Sequence, residues 1–130
     1  MIEAPRPTRT TGRERNVMEE GKWVKELRAA ITVCDREGVA LEMNDRAAET
    51  HAKDGGRELI GKSLLDCHPE RAREIFEELL KTAETNVYTI EKDGVKKLIY
   101  QAPWFRNGVC QGFVELSLPI PFEMPHFVRA

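Results

Sequence analysis

The sequence is short of most features that announce a specialised chemistry. Its three cysteines, Cys34, Cys67 and Cys110, show no CxxC spacing, so neither a disulfide framework nor a zinc knuckle is indicated and reduced thiols are expected. No apolar run approaches the about 20 residues that cross a bilayer, and the N-terminus lacks the apolar stretch of a signal peptide; a cytoplasmic protein without membrane association is expected. Charge of one sign is not in excess either. Lysine and arginine total 20 against 22 aspartates and glutamates, a formal charge of -2, so the counterion-release term that draws proteins to nucleic acid is missing and no nucleic-acid partner is expected. Arg6, Arg9, Arg13 and Arg15 sit beside Pro5, Pro7 and Gly12 and read as a flexible tail over 1–13. A nucleophile elbow, a phosphate-binding glycine loop and an HExxH motif are all missing, and Asp66 and His68 stand two apart with no serine marked as nucleophile, so nothing points to an enzyme.

What is present is the material for one modest core: 130 residues, 41% hydrophobic and 32% charged, too apolar for a disordered chain. Val17, Val24 and Leu27, with Trp23 beside them, recur at helical steps and predict an amphipathic helix over 14–28, which Gly21 weakens by about 1 kcal/mol relative to alanine. Ile31 to Asp35 and Val39 to Met43 flank Asp35-Arg36-Glu37-Gly38 and read as a β-hairpin. Asn44 is a suitable N-cap for a short helix to His51, which Gly55-Gly56 stops. Arg57 to Leu65 has spacing for one helical turn, with Ile60, Leu64 and Leu65 tucked against the core.

The strongest local signal follows. Pro69 suits a first helical position and Glu70 its positive end, while Ala72, Ile75, Phe76, Leu79, Leu80 and Ala83 form one apolar stripe, predicting a helix over 69–83. Strands are expected at Asn86 to Lys92, Val95 to Phe105 and Val109 to Leu118. Asp93-Gly94 and Asn107-Gly108 join them, dipeptides that take the left-handed conformations of tight hairpin turns. Pro119, Pro121 and Pro125 then end the pairing and leave a tail over 122–130, with Phe122, Met124 and Phe127 free to dock on something apolar.

Five strands with the helices grouped between the second and third suit an α+β fold, an antiparallel sheet with one face covered by helices. This order, with Asp35-Arg36-Glu37-Gly38 in the first turn, Asn44 opening a helix, and Gly61-Lys62-Ser63-Leu64-Leu65-Asp66 ahead of a long helix, resembles the PAS domain family of bacterial sensory proteins. The resemblance runs over residues 27–121. It implies a PAS domain at 29–121 with a five-stranded sheet in the spatial order 2-1-5-4-3 and a pocket between sheet and helices. It also implies frequent dimerisation through the helix ahead of the first strand, here 14–28. With nine residues after Pro121, a stand-alone module is expected.

The stretch Gly61 to Pro69 also looks like a subset of the family in which a His-Pro pair starts the long helix, and some related gas-responsive members hold haem with a histidine in this area. If Pro69 is the first helical residue, His68 is the N-cap and Cys67 precedes it, where the helix dipole favours a thiolate and a neutral imidazole, both metal-binding forms. A haem would take His68 as axial ligand, with Met43 or Cys110 as a second. The plainer reading makes His68 a helix cap and Cys67 the filler of a small apolar space. His51 and His126 are assigned no role, and Cys67, His68, His51 and Cys110 match no zinc spacing.

Periodicity supplies a pocket wall. Ile75, Phe76, Leu79 and Leu80 are expected to face the sheet, and Leu98, Tyr100, Ala102 and Trp104, in phase with Val114, Leu116 and Leu118, are placed inward. The expected ligand contacts are Ile75, Phe76, Leu79, Tyr100, Trp104 and Leu116, with Cys67 and His68; a buried hydroxyl or indole N–H wants a hydrogen-bond partner. Ile99 and Phe113 are out of phase and are expected on an outer apolar patch that joins Val17, Val24 and Leu27 as a homodimer surface. Three functions follow: a sensor that binds a small apolar or aromatic molecule and signals to another protein, a ligand-free homodimerisation or docking module, and a haem-based gas or redox sensor using His68. A ligand sensor should hold a cavity with a few inward polar groups, whereas an interaction module should fill that space and expose an apolar patch.

Overall fold

The computed structural model describes residues 19–66 and 70–130. Asp35 shapes the first turn: its Oδ1 accepts from the backbone N–H of Glu37 at 2.8 Å and of Val39 at 2.9 Å, and Gly38 takes the left-handed conformation at φ 82°. The turn joins strand β1 (Ala30–Asp35) to β2 (Ala40–Met43). Asn44 then caps helix α1 (Asp45–Thr50) by accepting from the Ala47 N–H at 3.0 Å. Two 3₁₀ turns follow, Ala52–Asp54 and Gly56–Leu59, with Gly55 at φ 116° between them and Gly56 at φ 58° opening the second.

Helix α2 (Glu70–Thr82) follows, and then a meander of β3 (Asn86–Lys92), β4 (Val95–Arg106) and β5 (Val109–Ile120). Both residues of each connecting dipeptide have positive φ, 55° and 78° at Asp93-Gly94 and 52° and 79° at Asn107-Gly108, the pattern of type I′ hairpin turns. The five strands form one antiparallel sheet in the order β2-β1-β5-β4-β3, as the resemblance implies.

Close packing concentrates at the β2–β1 end. Ala40 and Ala47 have no exposed surface, which lets α1 lie directly on the hairpin, and with Ala30, Met43 and Leu59 they form the core cluster, Leu64 packing against it. Ile60, expected to tuck inward, is exposed, and Leu59 takes that place. Asn44 locks this corner. Its Oδ1 also accepts from the Ile31 N–H at 3.0 Å, and its Nδ2 donates to the carbonyls of Val24 at 3.0 Å and Ala29 at 2.8 Å.

Three expectations need correction. Of the helix expected over 14–28, residues 14–18, Val17 among them, lie outside the described residues, as does the tail at 1–13; from Glu19 onward there is a single 3₁₀ turn, Lys22–Val24, instead of an α-helix. Gly21, left-handed at φ 81°, interrupts the helical path just before it. The sheet faces are exchanged as well. Ile99 and Phe113, placed on an outer patch, are each only 5% exposed. Phe113 lines the space under α2, so Leu98, Tyr100, Ala102, Trp104, Val114, Leu116 and Leu118 point to the opposite face. Alternation sorted these residues into two sets correctly but could not say which set faces the helices, because both are apolar. Ile99 and Phe113 therefore do not form a homodimer surface, and an aspartate at position 99 would disrupt the core rather than an interface.

Candidate ligand-binding site

Helix α2 is amphipathic yet sits lightly on the sheet. None of its residues with a described side chain is buried, and Ile75 is 45% exposed. A tilted ring contact between Phe76 and Phe113, with centroids 5.9 Å apart, ties the helix to β5. Between helix and sheet lies a cleft of about 200 Å³. Ala72, Ile75, Phe76 and Leu79 form its helical wall, Leu64 and Leu65 line it from the loop, and Thr32, Cys34, Gln101, Phe113 and Glu115 form its floor on the sheet, with His51, the C-cap of α1, also in the lining.

The floor is not uniformly apolar. Register aligns Asn86 with Gln101, Gln101 with Glu115 and Glu115 with Thr32 across β3, β4, β5 and β1. Asn86 Nδ2 donates to Gln101 Oε1 at 2.9 Å, and Gln101 Nε2 donates to Glu115 Oε1 at 2.7 Å. The result is a directional chain of amides ending on a carboxylate inside a largely hydrophobic cleft. Burial pushes the Cys34 thiol up from its ordinary range, opposed by a hydrogen bond from the Phe113 backbone and reinforced by the negative charges of Asp35 and Glu115. Burial likewise raises the Tyr88 phenol, and the Glu115 charge adds to it. Cys34 is thus held as a neutral thiol, which disfavours it as a nucleophile or metal ligand.

The structure brings Ile75, Phe76 and Leu79 together on the cleft wall. Tyr100, Trp104 and Leu116 are on the other face of the sheet and do not reach it. Trp104 does find a hydrogen-bond acceptor, the Cys34 carbonyl at 2.9 Å, reached across Gly112, where a Cβ would overlap that same oxygen. Val24 is half-buried and Leu27 exposed. Cys67 and His68 lie outside the described residues, and with them the axial ligand of the haem reading. The described cleft, about 200 Å³ with His51 and Glu115 in its lining, contains neither the histidine that the haem reading named nor its suggested second ligands Met43 and Cys110. Among the described residues no group of three or more His, Cys, Asp or Glu side chains is placed to hold a metal ion.

Sequence reasoning missed Thr32, Gln101, Glu115 and His51. A usable signal existed for part of this set: the two-residue Asp93-Gly94 turn dictates that Asn86 faces Gln101, two amides opposed within apolar strands. The partnership of Gln101 with Glu115 depends on an irregularity between Trp104 and Phe105 that shifts the β4–β5 register.

Solved structures share this architecture. A sensory box sensor histidine kinase from Vibrio cholerae aligns with a TM-score of 0.58 at 14% identity, covering 78% of this chain and 89% of that one. The Aer2 receptor of Vibrio cholerae, described as a dual PAS-haem oxygen sensor, aligns with a TM-score of 0.53 at 14% identity over 72% of this chain and 95% of that one. VqmA of the same organism, in a complex with ligand and DNA, aligns with a TM-score of 0.59 at 17% identity over 73% of this chain and 47% of that one. What is shared at these identities is the fold. A DNA complex among them means that the expectation against nucleic acid, drawn from charge alone, does not extend to proteins of this fold. No curated protein matches the chain in sequence. Among the described residues no helix is long and apolar enough to cross a membrane. The family model for the PAS fold matches residues 24–94, more than half of the chain. The strand order, the cleft beneath α2 and this match together place the chain in the PAS fold family.

Proposed function

We propose that this PAS domain is a non-catalytic sensor that binds a small, largely apolar molecule between α2 and the sheet and relays its presence through contacts with another protein subunit. The observation that carries the reading is the cleft itself: about 200 Å³ of space, crossed by a chain of inward amides and a carboxylate. A module built only for docking has no use for polar groups aimed into an unfilled core. The loose seat of α2 supports the same reading, because a helix with no side chain described as buried can shift over an occupant at small cost. The outer face, with Tyr100 38% exposed and Leu116 and Trp104 half-buried, is an apolar surface suited to a homodimer or a signalling partner.

Native mass spectrometry of freshly purified protein, followed by thermal-shift measurements with fragment-sized aromatic molecules, tests the proposal. A retained small-molecule adduct is expected, or a stabilisation of about 2.7 kcal/mol when a fragment is present at a hundred times its Kd. A bare chain that no fragment stabilises would overturn it.

A further inference from the structure

Among the described residues, the carboxylate on the cleft floor has no cationic partner. Glu115 forms no ion pair among the described residues, and only its Oε1 is engaged, by Gln101 Nε2 at 2.7 Å. The direction of the amide chain is set upstream. Because Gln101 Oε1 accepts from Asn86, its amino group must point to Glu115, and Glu115 is presented as an acceptor. Its second oxygen has no partner among the described residues and is open to whatever enters the cleft. On the neighbouring strand Thr32 stands opposite Glu115, lines the same floor and is only 7% exposed, and its hydroxyl has no hydrogen-bond partner among the described residues. A buried hydroxyl and a half-buried carboxylate side by side, one unbonded and the other half-engaged, form a costly arrangement unless a donor arrives to satisfy both.

Resting on the small-molecule reading above, we infer that the cleft selects a ligand with a protonated amine or other cationic nitrogen on a compact aromatic body. The nitrogen donates to Glu115 and Thr32, and the ring lies among Phe76, Phe113, Ile75 and Leu79. Charge and shape both favour this class. A cation recovers its lost hydration from the carboxylate, and charge-assisted hydrogen bonds are about twice as strong as neutral ones. A neutral analogue leaves Glu115 without a counter-charge, and an anion meets it with like charge. The other titratable groups in the described lining are Cys34, a neutral thiol, and His51, so Glu115 is its one carboxylate.

Three probes of nearly equal shape separate the alternatives: benzylamine, benzyl alcohol and benzoate, titrated into the full chain by calorimetry or amide chemical-shift change. Benzylamine is expected to bind about tenfold more tightly than benzyl alcohol, and benzoate not at all. Glu115→Gln should erase the benzylamine preference, so that benzylamine and benzyl alcohol bind equally. Thr32→Val provides an independent variant should Glu115→Gln misfold, and is expected to reduce the preference about threefold. Equal affinity for benzylamine and benzyl alcohol, or a preference that survives both substitutions, would overturn the inference while the small-molecule reading stands. Failure of all three probes, with a bare chain by mass spectrometry, would remove the sensor reading and this inference together.

Discussion

The two ends of the sheet are held on different terms. At the β2–β1 end, alanines without exposed surface bring α1 onto the hairpin, and one buried asparagine ties four backbone groups from three segments. Beyond it, the longer helix α2 stands over β1, β5 and β4 with none of its own described side chains buried, and β3 at the far edge is largely exposed. The difference shows that apolar content does not decide where a small domain is rigid. Small residues and saturated hydrogen bonds make the rigid end; bulky residues on a helix that stands off make the adaptable one.

Substitutions at the two ends should separate by size of effect. Asn44→Ala is expected to be the most damaging, about 3–4 kcal/mol by denaturant unfolding, because it removes an N-cap and strands buried donors and acceptors at once. A loss below 1 kcal/mol would mean that this corner is not the anchor. Ile75→Ala removes a larger side chain yet should cost only about 1 kcal/mol, far less than a fully buried isoleucine, since 45% of its surface is already in water. An effect as large as that at Asn44 would show that α2 is clamped in solution and would erase the contrast. Asp45 gives the smallest change. A hydrogen bond from Lys25 holds its carboxyl below the usual carboxylate range, opposed by some burial and helped by the charges of Lys25 and Arg57. A depressed folded-state pKa stabilises above the unfolded value of about 3.9 and is lost as pH falls through the folded one. Asp45→Asn should therefore lower Tm slightly at pH 7, and the gap to the parent chain should close as pH falls through the folded-state pKa; a gap that persists in acid would assign the effect to packing.

The legible part of this molecule was its local chemistry. Asp35, Asn44, the Asp-Gly and Asn-Gly dipeptides and the α2 stripe each act over a few residues, and each lies where such short-range rules put it. The strand order came through family resemblance. The choice of sheet face was hidden because the set with Phe113 and the set with Leu116 are both apolar, and only tertiary packing against α2 separates them. The cleft floor was hidden for a second reason: a register shift near Trp104, announced by no turn residue, brings Gln101 opposite Glu115.

That shift has an optical consequence. The indole of Trp104 rests on the face opposite the cleft, but its N–H ends on the carbonyl of Cys34, whose own side chain is part of the cleft floor. The chain's other tryptophan, Trp23, is 57% exposed and is expected to emit as a tryptophan in water does. Any movement of β1 that lengthens or shortens the Trp104 bond alters the polarity felt by one chromophore and leaves the other as a constant background. Trp104 emission is therefore expected to report displacement of β1 at the cleft floor, without a dye or a label.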